Sequence, residues 1–337
     1  MIRLRRPLLT ALLVAVLILS AAAGWQWHTY GAAPLEMAQT PARVRVERGA
    51  SLSEIARAAR AQGVNLPSWR LWLAARLRGD SRTIKAGLYQ LSAPVTLAGL
   101  LDKLVRGDVV MSELKVPEGW TLRQMRAAIA RHADLSHDTA ALGERELLQR
   151  LSVPETHAEG LFFPSTYRFS PGTSDLEIYR QAYRLMRRTL DDAWSARDPA
   201  TPLTDPYQAL VLASIVEKET GREADRDKVA AVFTNRLRAG MLLQSDPTTI
   251  YGLGERFDGN LRKADLQSNT PYNTYVRAGL PPTPISLPGK ASIAAAVRPA
   301  VSDALYFVAR GDGSSEFSAD LPAHNRAVAR YQLRRAP

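Results

Sequence analysis

Two carboxylates set two residues apart, Glu217 and Glu219, close a stretch that carries no charge from 209 to 216. A helix that is apolar on every side is a buried helix, and carboxylates are rarely buried without a partner or a task. On a helix this spacing sends them to different faces. Glu219 shares its side with Leu212, Ile215 and Val216, and Glu217 with Leu210, Ala213 and Ser214. Thr220 and Glu223 form an S/T-x-x-E pattern, which predicts a capping box opening a second helix through about Leu237. Glu219 is thereby placed at a helix–helix corner. Burial and the negative end of the first helix raise its pKa, whereas Lys218 and the start of the second helix lower it, so the net sign stays open. A raised value suits a general acid working near neutral pH. The alternative, and on spacing alone the commoner one, is a carboxylate that merely caps a helix or pairs with an arginine.

The polar residues that follow have the chemistry of carbohydrate contacts, because amides and hydroxyls bond sugar hydroxyls and N-acetyl groups. Asn235, Gln244, Ser245, Asp246, Tyr272, Asn273, Thr274 and Tyr275 are the candidates, with Glu159 upstream. Asp246 also reads as a helix N-cap ahead of Pro247. Phe162, Phe163 and Tyr167 offer stacking faces to sugars or are ordinary core. Four prolines between 280 and 288 predict a stiff wall. His324 is expected to be buried and hydrogen-bonded. No H-x-x-x-H or H-E-x-x-H pair points to a metal, and no phosphate-binding or dinucleotide fingerprint points to a cofactor; none is expected.

ASIVEKET from Ala213, the segment 224–244, SDPTTIYGLG from Ser245 and TPYNTYVRAGLPPTPISLPG from Thr270 occur in an order that resembles the endolytic murein transglycosylases, the YceG-like family. The resemblance spans most of 159–332. It implies that Glu219, the second Glu of the EKE string, is the catalytic acid/base, with Glu217 supporting it. EGLFFPSTYRF from Glu159 is similar to a family segment lying near the cleft, although Ser165 stands where the family usually has Asp. The implied reaction cuts the β-1,4 bond between MurNAc and GlcNAc of peptidoglycan glycan strands and leaves 1,6-anhydro-MurNAc ends. The implied partners are those strands, the inner membrane and peptidoglycan synthases. Two rivals stand beside it: a hydrolase pairing Glu219 with Glu217, Glu159 or Asp246, and a non-catalytic, membrane-tethered wall-binding protein.

The elements that must position these groups fit within 337 residues with 46% hydrophobic content, enough for two cores. The absence of cysteine excludes disulfides and thiolate metal sites. A net charge of +11 attracts polyanions or reflects an Ala- and Arg-rich composition. The basic residues are scattered and no nucleic-acid motif is present, so no nucleic-acid partner is expected. Arg3, Arg5 and Arg6 precede a charge-free run over 7–24, and Trp25, Trp27 and Tyr30 follow it. That pattern predicts a cytoplasmic tail (1–6), a transmembrane helix (7–27) and a periplasmic remainder at the bacterial inner membrane. A cleaved signal peptide is the rival, since 21–23 is an alanine run.

After a linker (28–42), the residues 43–112 read β-α-α-β, a layout that resembles LysM glycan-binding modules. Ser51-x-x-Glu54 caps the first of these helices. VPEGWTLRQM from Val116 echoes VERGASLSEI from Val46 seventy residues on, and STYRFS from Ser165 echoes GLYQLS from Gly87, as in a degenerate duplication or a coincidence of common units. The expected fold class is α+β: a membrane-anchored chain with a small LysM-like β-α-α-β module, then a mostly helical α+β catalytic domain over 113–337 with its core at 159–335. Its expected elements include a long amphipathic helix over 175–196 and, near the end, a hairpin built on 305–308 and 316–318 followed by a helix.

Overall fold

The computed structural model describes residues 32–332 and scattered positions between 13 and 25. The predicted tail 1–6 and most of the predicted span 7–27 lie outside the described residues. Among those described, no helix is long and apolar enough to cross a membrane. The structure mixes helices with four two-stranded sheets among the described residues and divides into two compact units. One comprises the chain up to Ser112 with Phe169–Pro171; the other comprises Glu113–Arg168 and Gly172–Pro337.

The first unit runs β1 (Ala42–Val46), α1 (Leu52–Ala61), α2 (Ser68–Arg78), β2 (Gly87–Leu91) and α3 (Leu97–Arg106). β1 and β2 pair antiparallel, with Ala42 opposite Leu91 and Val46 opposite Gly87. Alternation along β1 buries Ala42, Val44 and Val46 against Ile55, Leu71, Tyr89 and Leu101. The Ser51–Glu54 capping box forms as predicted. One part of the expected linker is bound rather than free: Leu35 is buried, Pro34 bridges Thr96, and Met37 bridges Val64.

The second unit begins within β3 (Ser112–Lys115), followed by α4 (Leu122–Ala130), β4 (Leu135–Ser136), α5 (Glu144–Leu151), β5 (Thr166–Phe169) and β6 (Thr173–Ser174). β3 pairs with β5, and Val116 N–H donates to Ser165 O at 2.9 Å. The order strand, two helices, partner strand therefore recurs, and the Thr121–Gln124 capping box of α4 repeats that of α1. Phe162 is fully buried edge-on against Tyr179, and Tyr167 is buried, so these two rings are core rather than sugar platforms.

Next come α6 (Asp175–Ser195), α7 (Pro206–Glu219), α8 (Arg226–Arg238), α9 (Asp246–Leu253), α10 (Lys263–Leu266), α11 (Lys290–Val297), the antiparallel hairpin β7 (Tyr306–Ala309) and β8 (Ser315–Ser318), and α12 (Leu321–Tyr331). α7 lies at the centre of this unit. Asp205 caps it, Pro206 occupies its first turn, and every residue from 209 to 216 is buried. α6, α8, α9 and α11 surround it. The proline-rich wall is fixed to α7 by polar contacts: Ile285 N–H donates to Ser214 Oγ at 3.0 Å, and Ser286 Oγ to Ser214 O at 3.1 Å.

The wall also meets the turn at Gly160, whose φ is +80°. A Cβ there would lie 2.4 Å from Pro284 Cβ. Gly160→Ala combines left-handed strain with a clash against a rigid ring, and is expected to destabilise the unit by roughly 2–4 kcal/mol. Urea denaturation reads this as a lower midpoint; an unchanged midpoint would mean that the turn swings clear of Pro284.

Two local expectations are corrected. Thr220 does not open the next helix; it is the C-cap of α7, and its hydroxyl donates back to Val216 O at 2.7 Å. Val216 O already accepts from Thr220 N–H at 3.0 Å, and the hydroxyl of the same residue joins it on the carbonyl's second lone pair. The N-cap position of α9 is held by Ser245, not Asp246.

Candidate functional site

The end of α7 delivers Glu219 beside the loop that joins α8 to α9. Ser245 is 1% exposed and its Oγ donates to Glu219 Oε1 at 2.7 Å. That bond is why Ser245 leaves the α9 backbone uncapped by its side chain. A second loop fixes Ser245 from behind. Its N–H donates to Thr274 Oγ1 at 3.0 Å, and Thr274 Oγ1 lies 2.8 Å from Thr248 Oγ1. Gln244 has a φ of +52°, a left-handed conformation uncommon away from glycine. Its N–H donates to Thr274 O at 3.1 Å and its side chain is exposed at the site. Such strain persists where surrounding bonds over-determine the backbone, as at ligand-handling loops.

Tyr275 OH donates to Asp246 Oδ1 at 2.6 Å, next to the Glu219–Ser245 pair. Tyr275's own pKa is pushed up, first by burial and then by Asp246. Glu219 keeps some exposed surface, but its carboxyl lies in dense surroundings. Burial, the largest cause, pushes its pKa up to about 7; the Ser245 bond pulls it down, the Asp246 charge raises it, and Arg236 lowers it. The sign left open by the sequence is thus settled by desolvation. The opposing cation is Arg236 rather than Lys218, whose Nζ points to Gly119 O at 3.4 Å.

Arg236 is the residue that the sequence reading missed. It is 8% exposed, with Nε donating to Leu305 O at 2.7 Å and Nη1 to Leu243 O at 2.9 Å, and its guanidinium lies 5.2 Å from the Tyr306 ring centre. A signal existed: Val229, Val232, Phe233 and Arg236 fall on one helical stripe, and a charge on an apolar stripe needs partners. His324 stacks on the same Tyr306, but its buried Nδ1 has no hydrogen-bond partner among the described residues, contrary to the expected hydrogen-bonded histidine.

The other candidates separate into those at the site and those committed to the framework. Asn235 Nδ2 donates to Ser302 O at 2.8 Å and Ala304 O at 3.0 Å, so its amide braces the approach to β7. Asn273 is fully buried; Nδ2 reaches Ser268 O at 2.6 Å and Oδ1 accepts from Tyr275 N–H at 3.0 Å. These two amides hold loop backbone. Tyr272 OH lies 2.9 Å from Thr283 Oγ1, and its ring meets Tyr251 edge-on. Glu217 Oε2 accepts from Gly289 N–H at 2.9 Å, at the start of α11. Glu159 is 7% exposed, with Oε1 accepting from Leu122 N–H at 2.9 Å and Oε2 from Tyr251 OH at 3.1 Å; burial raises its pKa to about 7.

A cleft of about 710 Å³ opens beside the site, walled by Thr121, Arg123, Ile250, Tyr251 and Phe257. Lys218 and Pro247, chain neighbours of Glu219 and Asp246, also line it, together with Glu159. A cavity of about 400 Å³ shares Arg123, Glu159 and Tyr251 with it and adds Arg126, His157 and Tyr272. These are dimensions typical of ligand sites, which run to about 300–1,000 Å³. Among the described residues, no group of three or more His, Asp or Glu is placed to hold a metal ion. The chemistry on offer is that of one carboxyl able to hold and release a proton near neutral pH, with its Oε1 occupied by a hydroxyl donor.

A curated protein of Bacillus subtilis (strain 168), named endolytic murein transglycosylase, is 31% identical over 323 residues, 90% of this chain and 89% of its own length. A protein of the same name from Streptococcus pneumoniae serotype 2 is 29% identical over 282 residues; that match takes in 74% of this chain and about half of the pneumococcal protein (51%). The crystal structure of a Listeria monocytogenes protein described as yceG-like superimposes with a TM-score of 0.54 at 29% identity, over 84% of this chain and 97% of that one. The model of the YceG-like family matches residues 44–330, from β1 to the last turn of α12, and the chain belongs to that family.

Proposed function

We propose that this protein is an endolytic lytic transglycosylase of peptidoglycan, with Glu219 as its one acid/base. The observation that carries this reading is the Glu219 carboxyl itself: largely desolvated, raised to about 7 and oriented by Ser245. With Oε1 accepting from Ser245, the proton resides on Oε2. Glu219 gives that proton to the glycosidic oxygen as the bond to MurNAc C1 breaks. The MurNAc C6 oxygen then bonds to C1, and its proton passes to the Glu219 carboxylate, which restores the acid. The nucleophile belongs to the substrate and is already held nearby, so one carboxyl serves both steps. A hydrolase needs a second carboxyl about 5–9.5 Å away. Glu217 and Glu159 are engaged elsewhere, which leaves Asp246 as the rival's partner. Gln244, Asp246 and Tyr275 are the proposed sugar contacts of the site.

The setting is proposed on the sequence pattern. Residues 7–27 anchor the chain in the inner membrane with the bulk in the periplasm, and the β-α-α-β unit, LysM-like in layout, binds nascent strands. Peptidoglycan synthases, which make those strands, are the expected partners. Mass spectrometry of purified glycan strands after exposure to the protein tests the chemistry. Internal fragments with 1,6-anhydro-MurNAc ends are expected; reducing ends formed by added water would replace this reading with the hydrolase, and intact strands with the wall-binding tether.

Ser245→Ala separates orientation from mere packing. Losing a donor that lowers the Glu219 pKa moves the alkaline limb of kcat/KM upward, while kcat falls about tenfold through poorer positioning. A fall in rate without movement of the limb would deny Ser245 this role.

A further inference from the structure

Helix α2 of the first unit is apolar on two opposite sides. Leu71, Ala74 and Ala75 are buried in the core. Facing away from them, Trp69, Trp72 and Leu77 are 63%, 50% and 65% exposed, and the Arg76 guanidinium lies 5.7 Å from the Trp72 ring centre. A helix bathed in water on that side ordinarily carries polar residues there. Indole rings beside arginine suit the headgroup layer of a bilayer, where apolar ring bodies meet the acyl boundary while N–H groups and guanidinium stay with phosphates.

The position of α2 supports the same occupant. The incoming chain docks just ahead of this helix: Asn65 N–H donates to Glu36 O at 2.8 Å and Ala38 N–H to Gly63 O at 2.8 Å. Pro34 is already fixed to Thr96, so only residues 25–33 separate the apolar run from the unit. Fully extended, that stretch reaches about 35 Å at most. Charge agrees as well, since residues 32–112 carry twelve Lys and Arg against six Asp and Glu. That balance favours an anionic surface.

We infer that α2 lies on the anionic membrane surface, with Trp69, Trp72 and Leu77 in the headgroup layer. Tether and helix together then hold the first unit at two points. The inference rests on the reading of 7–27 as a retained anchor, and the test keeps the two apart. The chain has no cysteine, so Leu77→Cys provides a single site for an environment-sensitive fluorophore. The full chain is reconstituted in phosphatidylglycerol vesicles, and carbonate washing reports on the anchor alone. The expected result is a blue-shifted label, quenched several-fold more by shallow nitroxide lipids than by aqueous iodide. Trp69→Ser with Trp72→Ser abolishes the shift, and a label at Arg57→Cys on α1 stays open to iodide. A Leu77→Cys label as open to iodide in vesicles as in detergent overturns the inference, as does a label that responds only to added glycan strands. If carbonate releases the chain, the anchor reading has failed and flotation with the same vesicles decides. Flotation lost in the double tryptophan variant supports the α2 surface; equal flotation overturns it.

Discussion

Glu219→Gln is expected to lower kcat for strand cleavage by about 10³-fold or more, within the span that positioned acid–base groups supply, and to leave the fold intact. The amide keeps the shape of the side chain, and its oxygen still accepts the Ser245 hydroxyl, so the Glu219–Ser245 contact survives without a transferable proton. Glu219→Asp retains the proton but withdraws the carboxyl by one methylene, away from Ser245, and about 10²-fold is expected from misplacement alone. In the wild type, kcat/KM falls as pH rises through about 7, because the acid form is the one that protonates the leaving oxygen. The same shift has a stability sign. The folded pKa lies above the ordinary carboxyl value of 4.5, so stability present below pH 4.5 is lost as pH rises through about 7. Glu219→Gln therefore unfolds at a higher temperature than the wild type at pH 8 while being inactive. Substantial cleavage by this variant would remove Glu219 from the chemistry.

Local rules made much of the fold legible. The capping boxes at Ser51 and Thr121 and the charge-free run over 209–216 each specify a helix start or a buried helix from adjacent residues, and the structure follows them. The carboxyl at the end of α7 was legible for the same reason: it contradicts its surroundings. What could not be read was the choice among distant partners. Thr220 Oγ1 could accept from an N–H three residues ahead or donate to a carbonyl four residues behind, and the carbonyl won. Ser245 surrendered its capping role to a carboxyl 26 residues away. Asn235 and Asn273 have the chemistry of sugar contacts, yet their amides saturate loop carbonyls, because a buried backbone group left unpaired is expensive. Composition identifies a side chain that can bond; only the tertiary structure says to what.

Glu159 presents that question most sharply, because it was a candidate sugar contact and both its oxygens are held by the protein. Burial raises its pKa from 4.5 to about 7 despite those two donors. By linkage, the native state bears no penalty below pH 4.5 and bears all of it above about 7, on the order of 3 kcal/mol. Glu159→Gln removes the ionisation and can keep both contacts: its oxygen accepts from Leu122 N–H, and its NH₂ donates to a Tyr251 hydroxyl turned to accept. The variant is expected to melt several degrees above the wild type at pH 8, at a few degrees per kcal/mol, and to match it at pH 5. Its KM for glycan strands should stay close to that of the wild type, since neither oxygen is free for a sugar. Thermal melts at the two pH values and one kinetic comparison decide between the roles. Equal loss of stability at both pH values would mean that the amide fails to replace the carboxyl in its contacts with Leu122 and Tyr251. A large rise in KM with unchanged melting would return Glu159 to the substrate, with Tyr251 releasing it as strands enter the cleft.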